Sequence, residues 1–256
     1  MRVRSFPGVI FLLVLSFFVP ACSARDAEAE IDELNESASQ LANQGDFEAA
    51  ISNAERALKI SEAEFGSSHR TTAQSLNNLG AFNARKGDFV SAETFYLRSV
   101  EVWRQQGESR ELELSGTLHN LGLLYDDLRR HEDAISFYTQ ALGIRERVLP
   151  KNSLEAGQTL GSLAVVYAIT GRFGEAERSF LRSCEIVGIV QGVDHPDYAV
   201  SLANLAYFYA QRGRYAEAEA EFVRALSILE TSVGPNHPLY TQVEQAHLHS
   251  LGAVNR

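Results

Sequence analysis

Apolar and small residues return along this chain at one fixed interval. The stretch 199–240, AVSLANLAYFYAQRGRYAEAEAEFVRALSILETSVGPNHPLY, overlays 157–198 when moved back 42 places, and further shifts reach 115–156, 73–114 and 31–72. Alanine holds one column: Ala50, Ala92, Ala134, Ala176 and Ala218. Leu79, Leu121, Leu163 and Leu205 hold a second, each followed at once by a small residue, Gly80, Gly122, Ala164 or Ala206. Aromatic Tyr96, Tyr138, Phe180 and Phe222 form a third column, and β-branched Ile60, Val102, Ile144, Ile186 and Ile228 a fourth. Columns locked to a single period mark a repeat architecture, in which a unit buries its apolar face only against its neighbours.

Within a unit the pattern predicts two helices. In the last one, Leu202, Leu205, Ala206 and Tyr209 recur at helical spacing, and Ala218, Phe222, Ala225, Leu226 and Leu229 form a second apolar face. Gly213 stands between them, in a column with Gly45, Gly87 and Gly171, where a short turn calls for a left-handed backbone. Gly234, Gly192 and Gly66 mark the ends of second helices. The small columns let the two helices approach, and the large ones fill the space beside them. The expectation is an all-α chain of five hairpins plus one C-terminal helix.

The motif Leu118, Leu121-Gly122, Tyr125, Ala134, Tyr138, Ala141 resembles the tetratricopeptide repeat, in the 42-residue variety found in kinesin light chain. The loops GVDHPDY at 192–198 and GPNHPLY at 234–240 are similar to that family's inter-repeat loop. The resemblance spans about residues 30–256. It implies a right-handed α-solenoid whose first helices line a concave surface, and a role in binding other proteins. It does not name a process, because such repeats serve many.

Departures from the pattern carry their own expectations. The first repeat, 31–72, lacks the column leucine (Ser37) and the aromatic (Ala54), as terminal repeats often do. The third repeat puts Arg129 where the others have the turn glycine, and His131 where they have an aromatic. A left-handed Arg129 costs about 1–2 kcal/mol, and a shifted turn is the alternative. Residues 241–256 read as a capping helix, with His247 in the place of the column leucine. The repeat domain is thus expected over 31–256.

Ahead of it lies a leader. Arg2 and Arg4 precede an apolar run, VIFLLVLSFFV at 9–19, too short for a membrane span and suited to a signal peptide. Val19-Pro20-Ala21-Cys22 looks like a bacterial lipobox, so residues 1–21 are read as a signal peptide with Cys22 the acylated first residue. Cleavage after Ala21 or Ala24 without acylation, and a retained anchor helix, are the alternatives. Each exports the repeats or places them across a membrane, and the lipoprotein reading puts them in a bacterial cell envelope, periplasmic or membrane-anchored. Residues 22–30 are read as an acidic tether, with 23–30 open to being a frayed helix start instead.

Charge and composition narrow the chemistry. The net charge is −10, and −12 once 1–21 is removed, which repels nucleic acid at long range. Cys184 replaces a core residue in the column Leu58, Val100, Leu142, Leu226, so it reads as a small buried hydrophobe. His69, His195 and His237 each head a helix, with Pro196 and Pro238 following and Ser153 in the same column, so helix initiation accounts for them. His247 and His249 diverge on their helix. No phosphate loop, zinc motif or cysteine pair is present in the sequence, and neither an enzymatic site, a metal nor a cofactor is expected.

What remains is the face of the first helices not used by the columns. It carries Asn77, Asn78 and Arg85 in the second repeat and His119, Asn120, Leu123, Asp126 and Asp127 in the third. The fourth adds Gln158, Gly161, Ser162, Val165 and Ile169, and the fifth Asn204, Tyr207 and Gln211. Asn78, Asn120 and Asn204 share a column. In proteins it resembles, asparagines here hold the backbone of an extended peptide; packing between repeats is the other reading. A face with so few cations does not suit an acidic tail. Two functions stay open: an exported or membrane-tethered adaptor that takes a partner segment in this groove, and a structural subunit of an envelope assembly packing by its convex face or by stacking.

Overall fold

The computed structural model describes residues 24–254, with side chains as far as Ser250; the leader and Cys22 lie outside the described residues. Eleven α-helices and one 3-10 turn follow in order, and no strand occurs among the described residues. They are α1 (Ala24–Asn43), α2 (Phe47–Glu64), α3 (Arg70–Lys86), α4 (Phe89–Gln105), a turn at Glu108–Arg110, and α5 (Glu111–Asp127). Then come α6 (His131–Val148), α7 (Leu154–Ile169), α8 (Phe173–Val190), α9 (Pro196–Gln211), α10 (Tyr215–Ser232) and α11 (Pro238–Val254). Five antiparallel hairpins stack in chain order into an α-solenoid that α11 closes.

The alanine, leucine, small-residue and aromatic columns are the core, while of the β-branched column Val102 and Ile186 are buried and Ile60, Ile144 and Ile228 are half-buried. A Cβ added at Gly80 would sit 2.5 Å from Tyr96 Cδ1, and one at Gly122 2.5 Å from Tyr138 Cδ1. Where the small residue is alanine, at 164 and 206, the opposing ring is the smaller Phe180 or Phe222. The last described helix breaks this rule: Leu248 holds the small-residue place and is 60% exposed. A ring could not lie on that leucine as it does on Gly122, so α11 departs from the first helices before it. His247 beside it joins Glu219 at 2.5 Å and lies against the Phe222 ring.

Helix ends follow local chemistry. The ring nitrogens of His69, His195 and His237 accept from the backbone N–H two residues on, and Ser153 Oγ accepts from Ala156 N–H. Asp46 and Asp88 cap α2 and α4. In later repeats arginine stands there instead. Arg130, Arg172 and Arg214 lie over the rings of Tyr125, Tyr167 and Tyr209 at 4.3, 4.7 and 4.1 Å. Each also reaches a glutamate of the preceding second helix: Glu93, Glu132 and Glu177. Arg129 adopts φ 58°, so the glycine-less third turn keeps the left-handed form.

Two boundaries differ from expectation. Each first helix starts ahead of the sequence register, at Arg70, Glu111, Leu154 and Pro196: the capping side chains of His69, Ser153 and His195 set three of these starts, and α5 follows directly on the turn at Glu108–Arg110. Of the two readings of the acidic segment, the helix start is the one found: residues 24–30 are the first turns of α1, not a tether. Ala27 is 1% exposed and continues the face of Ile31, Leu34 and Ala38 by helical spacing, and Glu28 pairs with Arg70 at 2.9 Å. The cap likewise starts at Pro238, ahead of 241.

Candidate binding groove

First helices approach first helices, α1 on α3, α3 on α5, α5 on α7 and α9 on α11, whereas second helices do not pack on one another to that extent. The first-helix side is therefore the inner, concave one. The α7–α9 pair packs slightly less closely than these.

Side chains from neighbouring units stitch the inner face at its N-terminal end. Asn78 Nδ2 donates to Asn35 Oδ1 at 3.0 Å, and Asn120 Nδ2 donates to Asn77 Oδ1 at 3.1 Å. Arg85 donates to the Ala42 carbonyl at 2.8 Å and lies over the Phe47 ring, so it ties α3 back to the first hairpin. Between α5 and α7 the bridge is His119 Nδ1 with Thr159 Oγ1, 3.4 Å apart. Burial, and then the charge of Arg145, hold the His119 imidazole down to about 4, so it is neutral at neutral pH. Arg145 itself is 7% exposed; it donates to Ser115 Oγ, the Glu155 carbonyl and Thr159 Oγ1. Asp126 meets His131 Nδ1 at 3.0 Å, at the start of α6, and Asp127 is exposed.

Toward the C-terminal end the face opens. A cavity of about 450 Å³ with a mixed lining has His119, Gln158, Ser162, Asp197 and Ser201 on its polar side and Leu154, Val165, Val187 and Val200 on its apolar side. A second, of about 500 Å³, is walled by Val165, Ile169, Phe173, Tyr207, Phe208 and Arg212. The two share Val165 and Asn204, so they form one cleft along α7 and α9. Leu123, Val165, Ile169 and Tyr207 are exposed on this face. Of the residues expected to contact a partner, His119, Gln158, Val165, Ile169, Asn204, Tyr207 and Gln211 come together here. Asn77, Asn78, Arg85, Asn120, Leu123, Asp126 and Asp127 line neither cavity.

Phe173, Phe208, Arg212, Asp197 and Ser201 escaped the sequence reading. Phe173 belongs to a second helix, and Arg212, with its guanidinium 3.7 Å from the Phe173 ring, to a turn. The first-helix pattern could not point to either. Asp197 was legible only as a favourable acid in a first helical turn. Among the described residues no group of three His, Cys, Asp or Glu is placed to hold a metal, and no helix is long and apolar enough to cross a membrane. Cys184 is buried, and burial pushes its thiol up to about 12.

Fold and groove together define an α-solenoid that presents a concave surface to other molecules. The tetratricopeptide repeat model matches residues 31–105, 71–147, 113–188 and 155–231, and the chain belongs to that family. Among solved structures it is similar to BtubC (BKLC) from P. vanneervenii, at 20% identity and TM-score 0.67, over 88% of this chain and 84% of that one. A Podosopora anserina protein, described as a kinesin light chain with nearly identical TPR-like repeats, matches at 18% identity and TM-score 0.69, over 80% of this chain and 97% of that one. A point variant of it matches at TM-score 0.70. No curated protein matches. Repeats of this family serve as protein-interaction scaffolds and are typically not enzymes.

Proposed function

We propose that this chain is an adaptor that binds a segment of a partner protein in its concave groove, seated in the α7–α9 cleft. The cleft carries the reading: it joins an apolar, aromatic-walled cavity to one of mixed lining on the face where first helices are exposed. Apolar pockets with a few placed polar groups are what a bound segment needs for affinity and orientation. The partner is a protein and not a nucleic acid, in keeping with the net charge of −10. The test begins with a crosslinking pull-down from the native host, followed by titration of the recovered segment. Val165→Asp is expected to weaken binding at least tenfold with an unchanged melt. Unchanged affinity moves the contact to the convex face and makes the chain a structural subunit of an assembly.

The leader supports an exported, membrane-tethered adaptor, lipidated at Cys22 and held at a bacterial envelope. The basic residues, short apolar run and Ala21-Cys22 junction motivate this. Cys22→Ser is expected to abolish fatty-acid labelling and leave precursor. A mature N-terminus at Arg25 would sink the lipid anchor.

A further inference from the structure

The apolar cavity between α7, α8 and α9 is built from places that carry charge at the two corners before it. Four large apolar side chains around it are exposed: Val165, Ile169, Phe173 and Tyr207. Its floor is the buried pair Phe180 and Phe208, ring centroids 5.4 Å apart. One unit earlier, the places of Ala168, Ile169 and Phe173 hold Asp126, Asp127 and His131, and Asp126 meets His131 at 3.0 Å. Two units earlier they hold Ala84, Arg85 and Phe89, and Arg85 is spent on the Ala42 carbonyl. Single exposed apolar residues are ordinary, but four around one hollow of about 500 Å³ mark a site of interaction.

At the rim stands exposed Arg212, its guanidinium 3.7 Å from the centre of the Phe173 ring. Arg130, Arg172 and Arg214 also lie over rings, and each of them holds a glutamate. Arg212 has no carboxylate partner among the described residues. In the third and fourth repeats its place is taken by Leu128 and Thr170, and Lys86 of the second is held by Glu48 at 2.7 Å. A guanidinium stacked on a ring keeps its N–H edge free. That planar fork matches a carboxylate through two parallel hydrogen bonds.

We infer that this cavity binds a small hydrophobic monocarboxylate, a medium-chain acyl or arylalkyl acid, with Arg212 holding its carboxylate. The apolar body lies between Ile169, Phe173 and Tyr207 and rests on the Phe180–Phe208 floor. The volume falls in the range of small-molecule sites, and apolar walls with one placed charge are their usual make-up. A weakly polar surround strengthens the pairing of a cation with an anion. The net charge of −10 acts on such a ligand at long range and is screened by salt beyond about 8 Å, which leaves the contact to Arg212. The site is independent of the adaptor reading, because the ligand is a free acid and needs no partner protein.

The probes are hexanoate, octanoate, decanoate and 4-phenylbutyrate, each beside its neutral primary amide, titrated by calorimetry into the full chain. Each acid is expected to bind one to one and at least about tenfold tighter than its amide. Two added methylenes should tighten binding by roughly tenfold while the cavity still has room. R212Q is expected to bind acid and amide alike, with the amide's affinity unchanged. I169D is expected to weaken both at least about tenfold. Both places are exposed, so both variants should melt as wild type. R212K, which keeps the charge and loses the fork, stands in should R212Q misfold and is expected to keep only part of the preference for acid. Y207S stands in for I169D. No measurable binding of any probe overturns the inference, as does an acid preference that survives R212Q. Acid binding untouched by both I169D and Y207S removes the ligand from this cavity and overturns it as well.

Discussion

Asn120 and Asn204 occupy the same place in their repeats and meet opposite surroundings. Asn120 gives its amide to Asn77 across the α3–α5 junction, whereas Asn204 faces a cleft. The N-terminal junctions spend their polar side chains on one another: Asn78 with Asn35, Asn120 with Asn77, Arg85 with the Ala42 carbonyl. The α7–α9 junction presents two cavities and exposed Val165, Ile169 and Tyr207. One motif thus serves as mortar where its neighbour has a matching group and as a free surface where it does not. A residue type in a column therefore does not identify a binding residue; what stands one repeat away decides.

The largest effect expected at the open end comes from Phe222→Ala. Its ring is fully buried between α9 and α10, and truncation costs about 3–5 kcal/mol. Because units couple only to their neighbours, amide exchange should accelerate in α9–α11 and stay slow in α3–α5. A uniform acceleration, or an unchanged urea midpoint, would contradict this separation of the two regions.

A middle-sized effect belongs to the junction between them. His119 has a folded pKa of about 4, below the unfolded value of about 6.5, so it takes up a proton on unfolding. Its contribution is full above about pH 6.5, is lost as the pH falls toward 4, and is flat below that. The difference corresponds to about 3 kcal/mol at most. Urea midpoints at pH 7 and pH 4.5 should therefore differ more for wild type than for His119→Asn. Equal pH dependence in the two would mean the imidazole is not held neutral.

The smallest effect compares the asparagines directly. Asn120→Ala removes a half-buried amide bridge and should cost about 1 kcal/mol while leaving partner affinity nearly unchanged. Asn204→Ala should do the reverse, with an unchanged melt and weakened binding. Both are read from a paired melt and titration. The same response from both would erase the contrast between mortar and free surface.

The period, the hairpins and the core were legible in the sequence because each rests on interactions inside one unit or at its ends. Gly122 beneath Tyr138, Ala206 beneath Phe222, and the histidine caps at His195 and His237 follow from neighbours a few residues or one hairpin away. Helical periodicity and turn chemistry express such contacts directly. Residues 24–30 stayed open between tether and helix start because acidic side chains on the solvated face of α1 mask the buried stripe that Ala27 begins. The tertiary structure alone decided the rest: which asparagines bond one another, that Arg145 is buried against Ser115 and Thr159, and that two cavities meet at Asn204. Those outcomes depend on side chains a whole repeat apart and on the spacing of stacked helices. That spacing arises only when the units assemble.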